Sequence, residues 1–312
     1  MTQKSVRIGL LATHENEELE RLQDAARQNG HEATVLKVQK FGLSIYPDHP
    51  QIYYDGKSIH DDYDVIIPRV DIPYTDFGFE VLRQFQAIGT YVTDTAYALE
   101  LARNKVRSFQ YLMKKNVPFP RTGSAFATEG YKNILNTIGE EPFIIKLNQG
   151  TQGVGVFLAQ DQRQAENFLG TFEQLDTEVM VQEFIEEAAG SDLRCFIVGG
   201  EIVGAMCRKS QGEDFRANIS LGGTAEKADL SEEEKRVALE ASAAMNLNVS
   251  GVDIVRSKRG PLVIEINGAP DFCGEFGLEK VCNVDVADKM IRFALDGKHK
   301  HDRGEGVWLS RD

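Results

Sequence analysis

The sequence predicts an open α/β domain followed by two α+β lobes. Three patterns carry this expectation. Short β-branched runs alternate with helical periodicity through about the first 95 residues. A glycine-rich run, Gly150-Thr151-Gln152-Gly153-Val154-Gly155, lies between two strand-like segments. The part from 187 onward holds two hairpin patterns, one turning at Gly199-Gly200 and one covering 251–267.

The elements follow in order. Residues 6–12 read as a strand. Residues 17–28 carry Leu19, Leu22, Ala25 and Ala26 at helical spacing, and Gly30 stops the helix. Residues 34–38 and 64–68 are strands, Tyr54-Asp55-Gly56-Lys57 is a hairpin turn, and 79–88 is a helix. This segment closes near Thr93. Helices follow at 96–103 and 106–115, the second ended by Pro118 and Pro120. Strands at 123–127 and 143–146 flank a helix. A strand at 154–159, a helix near 163–172 and a strand at 179–183 complete a small lobe. Strands at 193–198 and 201–208 form the next hairpin. Ser231 with Glu234 makes a capping box for a helix through Val237, Leu239, Ala243 and Ala244. A last helix covers roughly 284–295, and the polar tail from Lys298 is expected to be mobile. The expected division is 1–95, 96–186 and 187–297, with the tail at 298–312.

Composition narrows the function. The chain has 312 residues, a net charge of −13, 42% hydrophobic and 27% charged residues. Such acidity argues against non-specific binding of extended nucleic acid. A nucleotide would have to be held by local Lys, Arg, backbone amides and metal. No apolar run approaches the roughly 20 residues of a membrane helix. The N-terminus enters a strand with no signal-peptide pattern, so a cytoplasmic location is expected. Cys195, Cys207, Cys273 and Cys282 show no metal or CxxC spacing and read as free thiols.

Asp253, Glu265 and Asn267 are the most informative residues. Glu265 and Asn267 are two apart and share a strand face. With 257–261 as the connection, and Pro261 at the turn, Asp253 lies opposite Glu265. Three hard oxygen donors then converge, which suits Mg²⁺ completed by water and phosphate. The competing reading is an exposed polar hairpin face, which an acidic pair among apolar residues disfavours.

The glycine-rich run lets backbone N–H groups approach phosphate, and Lys146 before it supplies a point charge. It matches neither a Walker loop nor a dinucleotide fingerprint, because it continues into a strand rather than a helix. A plain glycine hairpin is the alternative. Gln182-Glu183-Phe184-Ile185 offers backbone groups and an apolar wall to a flat base. Asp192 and Arg194 alternate on one strand face and read as a simple ion pair. Arg208, Lys209, Arg216 and Asn218 form a basic cluster able to hold a transferring phosphoryl group, or else a charged surface loop.

The order Lys105, Lys146, glycine flap, Gln182-Glu183-Phe184-Ile185, Arg216-Ala217-Asn218, Asp253, Glu265-Ile266-Asn267 resembles the ATP-grasp ligases, and within them the RimK group of glutamate ligases acting on ribosomal protein S6. Asp192-Leu193-Arg194-Cys195, Gly251-Val252-Asp253-Ile254-Val255-Arg256 and Ile67-Pro68-Arg69 extend the likeness over nearly the whole chain. The resemblance implies an ATP-grasp fold with a pre-ATP-grasp domain and ATP held between two lobes. It implies phosphate contacts from Lys105, Lys146 and the flap residues Gly150, Thr151, Gln152, Gly153 and Gly155. Glu183, Phe184 and Ile185 would hold adenine and Asp192 the ribose. Arg216, Ala217 and Asn218 would lie by the phosphates, with Lys146 and Arg216 assisting catalysis. Asp253, Glu265 and Asn267 would hold two Mg²⁺ or Mn²⁺ ions. A homotetramer is implied as well.

The activity so implied joins a carboxylate to an amine through an acylphosphate, adding glutamate to a peptide or protein C-terminus or to glutamate. The chain departs from the family after Asn267, where Gly268-Ala269-Pro270-Asp271 replaces Ala-Ser-Pro-Gly and a longer stretch runs to Lys280. This keeps open a ligase for a small-molecule carboxylate. A nucleotide-binding regulator without turnover is the reading from another class, and a dinucleotide oxidoreductase is disfavoured because no Gly-x-Gly-x-x-Gly follows residues 6–12.

Overall fold

The computed structural model describes residues 5–125, 128–148, 155–211, 215–217 and 222–305. It opens with strand β1 (Arg7–Ala12), helix α1 (Glu17–Gln28) and strand β2 (Glu32–Lys37). Asn16 caps α1 by accepting the Leu19 N–H, and Glu17, Glu18 and Glu20 place negative charge at the helix end that favours it. A meander of β3 (Phe41–Ser44), β4 (Gln51–Tyr54) and β5 (Lys57–Ser58) follows. Only its second turn was legible in the sequence; Asp55 and Gly56 there have φ of 48° and 75°. Then come β6 (Val65–Arg69), α2 (Thr75–Ala87) and β7 (Tyr91–Val92). A parallel sheet forms in the order β2-β1-β6-β7.

Helices α3 (Ala96–Arg103) and α4 (Lys105–Lys114) meet at Asn104. That one residue ends the first helix and caps the second, its side chain accepting the Arg107 N–H. Next are β8 (Thr122–Ser124), α5 (Thr128–Ile138), β9 (Phe143–Leu147), β10 (Val156–Ala159), α6 (Gln162–Gln174) and β11 (Val179–Glu183). The strands form an antiparallel sheet ordered β10-β9-β11-β8, with a core including Leu135, Ile145, Leu169 and Val181.

The remainder holds β12 (Ser191–Val198), β13 (Glu201–Lys209), β14 (Thr224–Lys227), α7 (Glu232–Ala244), β15 (Val249–Ser257), β16 (Gly260–Asn267), α8 (Leu278–Cys282) and α9 (Val286–Asp302). Its antiparallel sheet runs β14-β13-β12-β15-β16. The capping box of Ser231 and Glu234 is present at the start of α7. Helix α9 does not stop near 295. It continues through Lys298, His299 and His301 to Asp302 and packs on α1, β6 and β7. Arg21 of α1 reinforces this closure by pairing with Glu279 at 2.9 Å and Asp285 at 3.1 Å. First and last segments therefore share a core, to which Ile8, Leu22, Phe196 and Met290 contribute.

The β15–β16 hairpin differs from expectation in an instructive way. Its connection is Lys258-Arg259, and Pro261 lies inside β16 opposite Arg256. β16 is an edge strand, so the missing N–H of Pro261 leaves no ladder partner wanting. The shorter turn pairs Ile254 with Val263, a register that would set Asp253 against Ile264. A bulge between Asp253 and Ile254 takes up the extra residue and restores Asp253 opposite Glu265 and Gly251 opposite Asn267.

The stretch after β16 is closely packed. A Cβ on Gly277 would collide with the carbonyl of Cys273, which is backbone and cannot rotate away. Gly277→Ala is expected to destabilise the protein by about 1–3 kcal/mol, the size of other overpacking substitutions. A chemical-denaturation midpoint equal to that of the parent chain would contradict this.

Candidate active site

Two clefts meet beside Glu265, near the end of β16. The first lies between the β8–β11 sheet and the β12–β16 sheet. Ile144, Phe184, Ile185 and Phe215 give it an apolar wall, and Lys146, Asp192 and Arg216 a polar one. The second, wider cleft lies between the C-terminal end of β6 and the segment after β16. Arg69, Arg103, Arg194 and Asn267 line it. Lys105, Arg208 and Glu265 line both.

Lys146, near the end of β9, donates from Nζ to Gln182 Oε1 at 2.8 Å. Gln182 is itself fixed by donating to Thr122 Oγ1 at 2.8 Å. Burial lowers the Lys146 pKa to about 8; Glu265 opposes this and Lys105 adds to it. Lys105 opens α4, with its backbone N–H on the Asn148 carbonyl and its Nζ 3.2 Å from Glu265 Oε1. A cation thus already faces one of the expected metal ligands.

Asp253 is 2% exposed and is gripped from two sides. Arg194 donates to both its oxygens at 2.6 Å, and Arg208 adds a third bond at 2.8 Å. Arg208 also holds both oxygens of Asp192 at 2.7 Å. Burial pushes the Asp253 carboxyl up, but the two guanidiniums outweigh it and hold it below the usual range. Asp192 is pushed up by burial, with repulsion from Asp253 added, and the pull of Arg208 and the more distant Arg194 does not overcome it. The expected Asp192–Arg194 pair is therefore not formed. Each residue finds its partner across the sheet, as the opposition of Arg194 to Asp253 and of Asp192 to Arg208 requires. The expected basic cluster also divides, because Lys209 points outward to Glu226 while Arg208 is buried.

The remaining expected residues are placed as follows. Phe184 and Ile185 line the first cleft, and Phe184 meets Phe215 edge-on with centroids 6.3 Å apart. The Glu183 carboxylate turns to Arg259, on the tip of the β15–β16 hairpin, and lies 3.8 Å from Arg121. Gly155 has φ 79°, and a Cβ there would strike Leu147. Arg216 lines the first cleft and Ala217 is buried beside it. Gly150, Thr151, Gln152, Gly153 and Asn218 lie outside the described residues. Among the described residues no cluster of three His, Cys, Asp or Glu side chains forms a metal site.

The donor set still fits a divalent cation. Asp253 and Glu265 sit opposite each other across the hairpin, and both line the first cleft. Asn267 follows two residues on; its buried, unpartnered atom among the described residues is the amide donor Nδ2, so a cation would take its Oδ1. Hard oxygens so arranged suit Mg²⁺.

The model of the RimK-like ATP-grasp domain matches residues 102–294, and that of the RimK PreATP-grasp domain matches 6–99. The chain belongs to the RimK-like ATP-grasp family. A probable alpha-L-glutamate ligase of Aliivibrio fischeri is 40% identical over 305 residues, covering 96% of this chain and 100% of the relative. Another, of Nitrosococcus oceani, is 42% identical over 273 residues, 88% of this chain and 89% of its own. Among solved structures, a RimK domain protein of Sphaerobacter thermophilus superposes with a TM-score of 0.70 at 22% identity, over 93% of this chain and 100% of that one. The ATP-grasp ligase PsnB with minimal precursor, Mg and ADP gives 0.73 at 18% identity, over 96% and 99%. These two show the fold, and they agree with the ATP-grasp architecture expected.

Some contributors to this RimK-like site were invisible in the sequence. Thr122 and Arg121 carry no signal of their own in the sequence until β8 pairs with β11 and brings them to Gln182 and Glu183. Arg69 stands out in the sequence only as part of Ile67-Pro68-Arg69, and Arg103 only as the end of a helix. No local pattern places either across a cleft from Asn267.

Proposed function

We propose that this RimK-like ATP-grasp chain is an ATP-dependent ligase that activates a carboxylate as its acylphosphate and joins it to the amine of glutamate. The observation that carries the reading is the meeting of the two clefts at Lys105, Arg208 and Glu265. One cleft has the apolar wall and cations suited to a nucleotide, and the other opens from the same charged junction. Relatives at 40% and 42% identity named as probable alpha-L-glutamate ligases support glutamate as the amine.

Phe184 and Ile185 would flank the base, and the Gln182–Lys146 contact would hold an ammonium toward the phosphates. Arg216 would neutralise charge on the transferring group. Asp253, Glu265 and Asn267 would hold Mg²⁺ or Mn²⁺, two ions in this reading, which spread the charge developing on phosphate oxygens. The acylphosphate must be shielded from water, a task suited to the glycine run that ends at Gly155. The amine then displaces phosphate, giving the amide, ADP and phosphate.

For the acceptor we propose a peptide or protein C-terminus. The size of the second cleft supports this, and so does its like-folded neighbour PsnB, whose structure is with a minimal precursor. A small-molecule carboxylate is the second reading, favoured by the distinctive segment after Asn267 that lines this cleft. A cytoplasmic homotetramer completes the proposal, supported by four free cysteines and the family likeness. No helix among the described residues is long and apolar enough to cross a membrane.

The test is incubation with ATP, Mg²⁺, a set of peptide or small-molecule acceptors and each amino acid in turn. ADP release that requires glutamate, with a product heavier by one glutamyl residue, is expected. ATP turnover indifferent to every amino acid and acceptor would refute the ligase reading.

A further inference from the structure

Arg103 is a half-buried guanidinium that makes no hydrogen bond or ion pair among the described residues. It is the last residue of α3 and lines the second cleft. Burial pulls its pKa down, and Asp71 and Asp76 attract it only from beyond ion-pair distance. A partly desolvated charge with no direct ion-pair partner is costly, so a carboxylate at this guanidinium would be favoured. The other arginines lining that cleft are engaged. Arg69 donates to Glu18 and to the Pro270 carbonyl at 2.7 Å, while Arg194 and Arg208 hold Asp253 and Asp192.

Position adds to this. Arg103 and Lys105 are separated by Asn104 alone, so their Cα atoms lie within about 7 Å. Lys105 contacts Glu265 at the junction of the clefts, whereas Arg103 lines only the second. Arg103 thus borders the same cleft as Lys105 and Glu265, where a ligand bound beside the junction could present a carboxylate to it. The same cleft presents Asp71, Asp271 and Glu275, which disfavour a polyphosphate more than a ligand that carries an ammonium beside its carboxylates.

Resting on the ligase reading above, we propose that Arg103 is the receptor for a substrate carboxylate that does not react, and so selects for an acidic or amino-acid substrate in the second cleft. The incoming amino acid and the acceptor are the two sources of that carboxylate. A guanidinium suits the task because its planar fork meets carboxylate geometry with two parallel bonds.

The test uses the full chain with Arg103→Gln and Arg103→Lys. Arg103→Gln is expected to raise KM for the carboxylate-bearing substrate roughly ten- to a hundredfold, the usual worth of a charge-assisted hydrogen bond. Binding of a non-hydrolysable ATP analogue should change by less than about twofold, and Arg103→Lys should recover part of the loss. A rise confined to glutamate assigns the carboxylate to the incoming amino acid, and one confined to the acceptor assigns it there. Unchanged KM for both overturns the proposal while leaving the ligase reading intact. Should the parent chain release no ADP with any amino acid, the ligase reading fails by itself. Calorimetric titration with glutamate and with the acceptor peptide then decides: heat lost in Arg103→Gln supports the receptor, and equal or absent heats overturn it.

Discussion

Glu265→Gln is expected to lower amino-acid-dependent ADP release by about 10³-fold or more without loss of the fold. The side chain is 29% exposed, lines both clefts and has Lys105 as its ion-pair partner. The amide replaces it at equal volume and can still accept from Lys105, so little stability is at risk. What disappears is the negative charge needed to hold a cation against triphosphate, and losses of this size are common when transition-state charge is no longer neutralised. Circular dichroism and a melting curve should match the parent. Near-normal turnover in the folded variant would count directly against the metal assignment. Asp253→Asn is a poorer probe. Asp253 is buried between Arg194 and Arg208, and removing one partner of such a buried network costs about 3–5 kcal/mol. A fall in activity there would mix chemistry with unfolding.

Lys146→Met is expected to weaken binding of an ATP analogue roughly a hundredfold or more while leaving the fold at least as stable, because the desolvated ammonium is replaced by an apolar chain of similar length. The parent chain should show a pH signature. Burial has lowered the Lys146 pKa from 10.5 to about 8, so its charge fades as pH rises through 8. A bound triphosphate favours the charged form and raises that pKa again. Analogue binding near pH 8 should therefore take up protons, measurable by calorimetry in buffers of different ionisation enthalpy, and affinity should fall between pH 7 and 9. The sign for folding runs the other way. Between about pH 8 and 10.5 the unfolded chain binds the extra proton, so this residue lets stability rise with pH across that window. Proton uptake that persists in Lys146→Met would show that another group titrates.

Much of the fold was legible because its signals are local. Periodicity placed α1, α3 and α7, and turn chemistry placed Asp55-Gly56 and Gly199-Gly200. Short elements escaped. β7 has two residues and β14 four, too few to show a period. The polar run Lys298 to Asp302 hides the end of α9 in the sequence; its final turns are held by helix hydrogen bonding and an i,i+4 pair of Lys298 with Asp302.

For the site, the sequence by itself determined which residues face which way along a strand. Asp253, Glu265 and Asn267 carry that information in their spacing, since side chains alternate with a period of two. It could not determine the ladder. The two-residue turn and the bulge beside Asp253 are separate slips that cancel, and a strand pattern reports neither. The ionic pairings were likewise decided in three dimensions. Asp192 and Arg194 are neighbours in sequence, yet strand pairing hands one to Arg208 and the other to Asp253. The second cleft draws Arg69, Arg103 and Asn267 from distant segments. Charges meet across space wherever packing brings them together, and no window of sequence contains that distance.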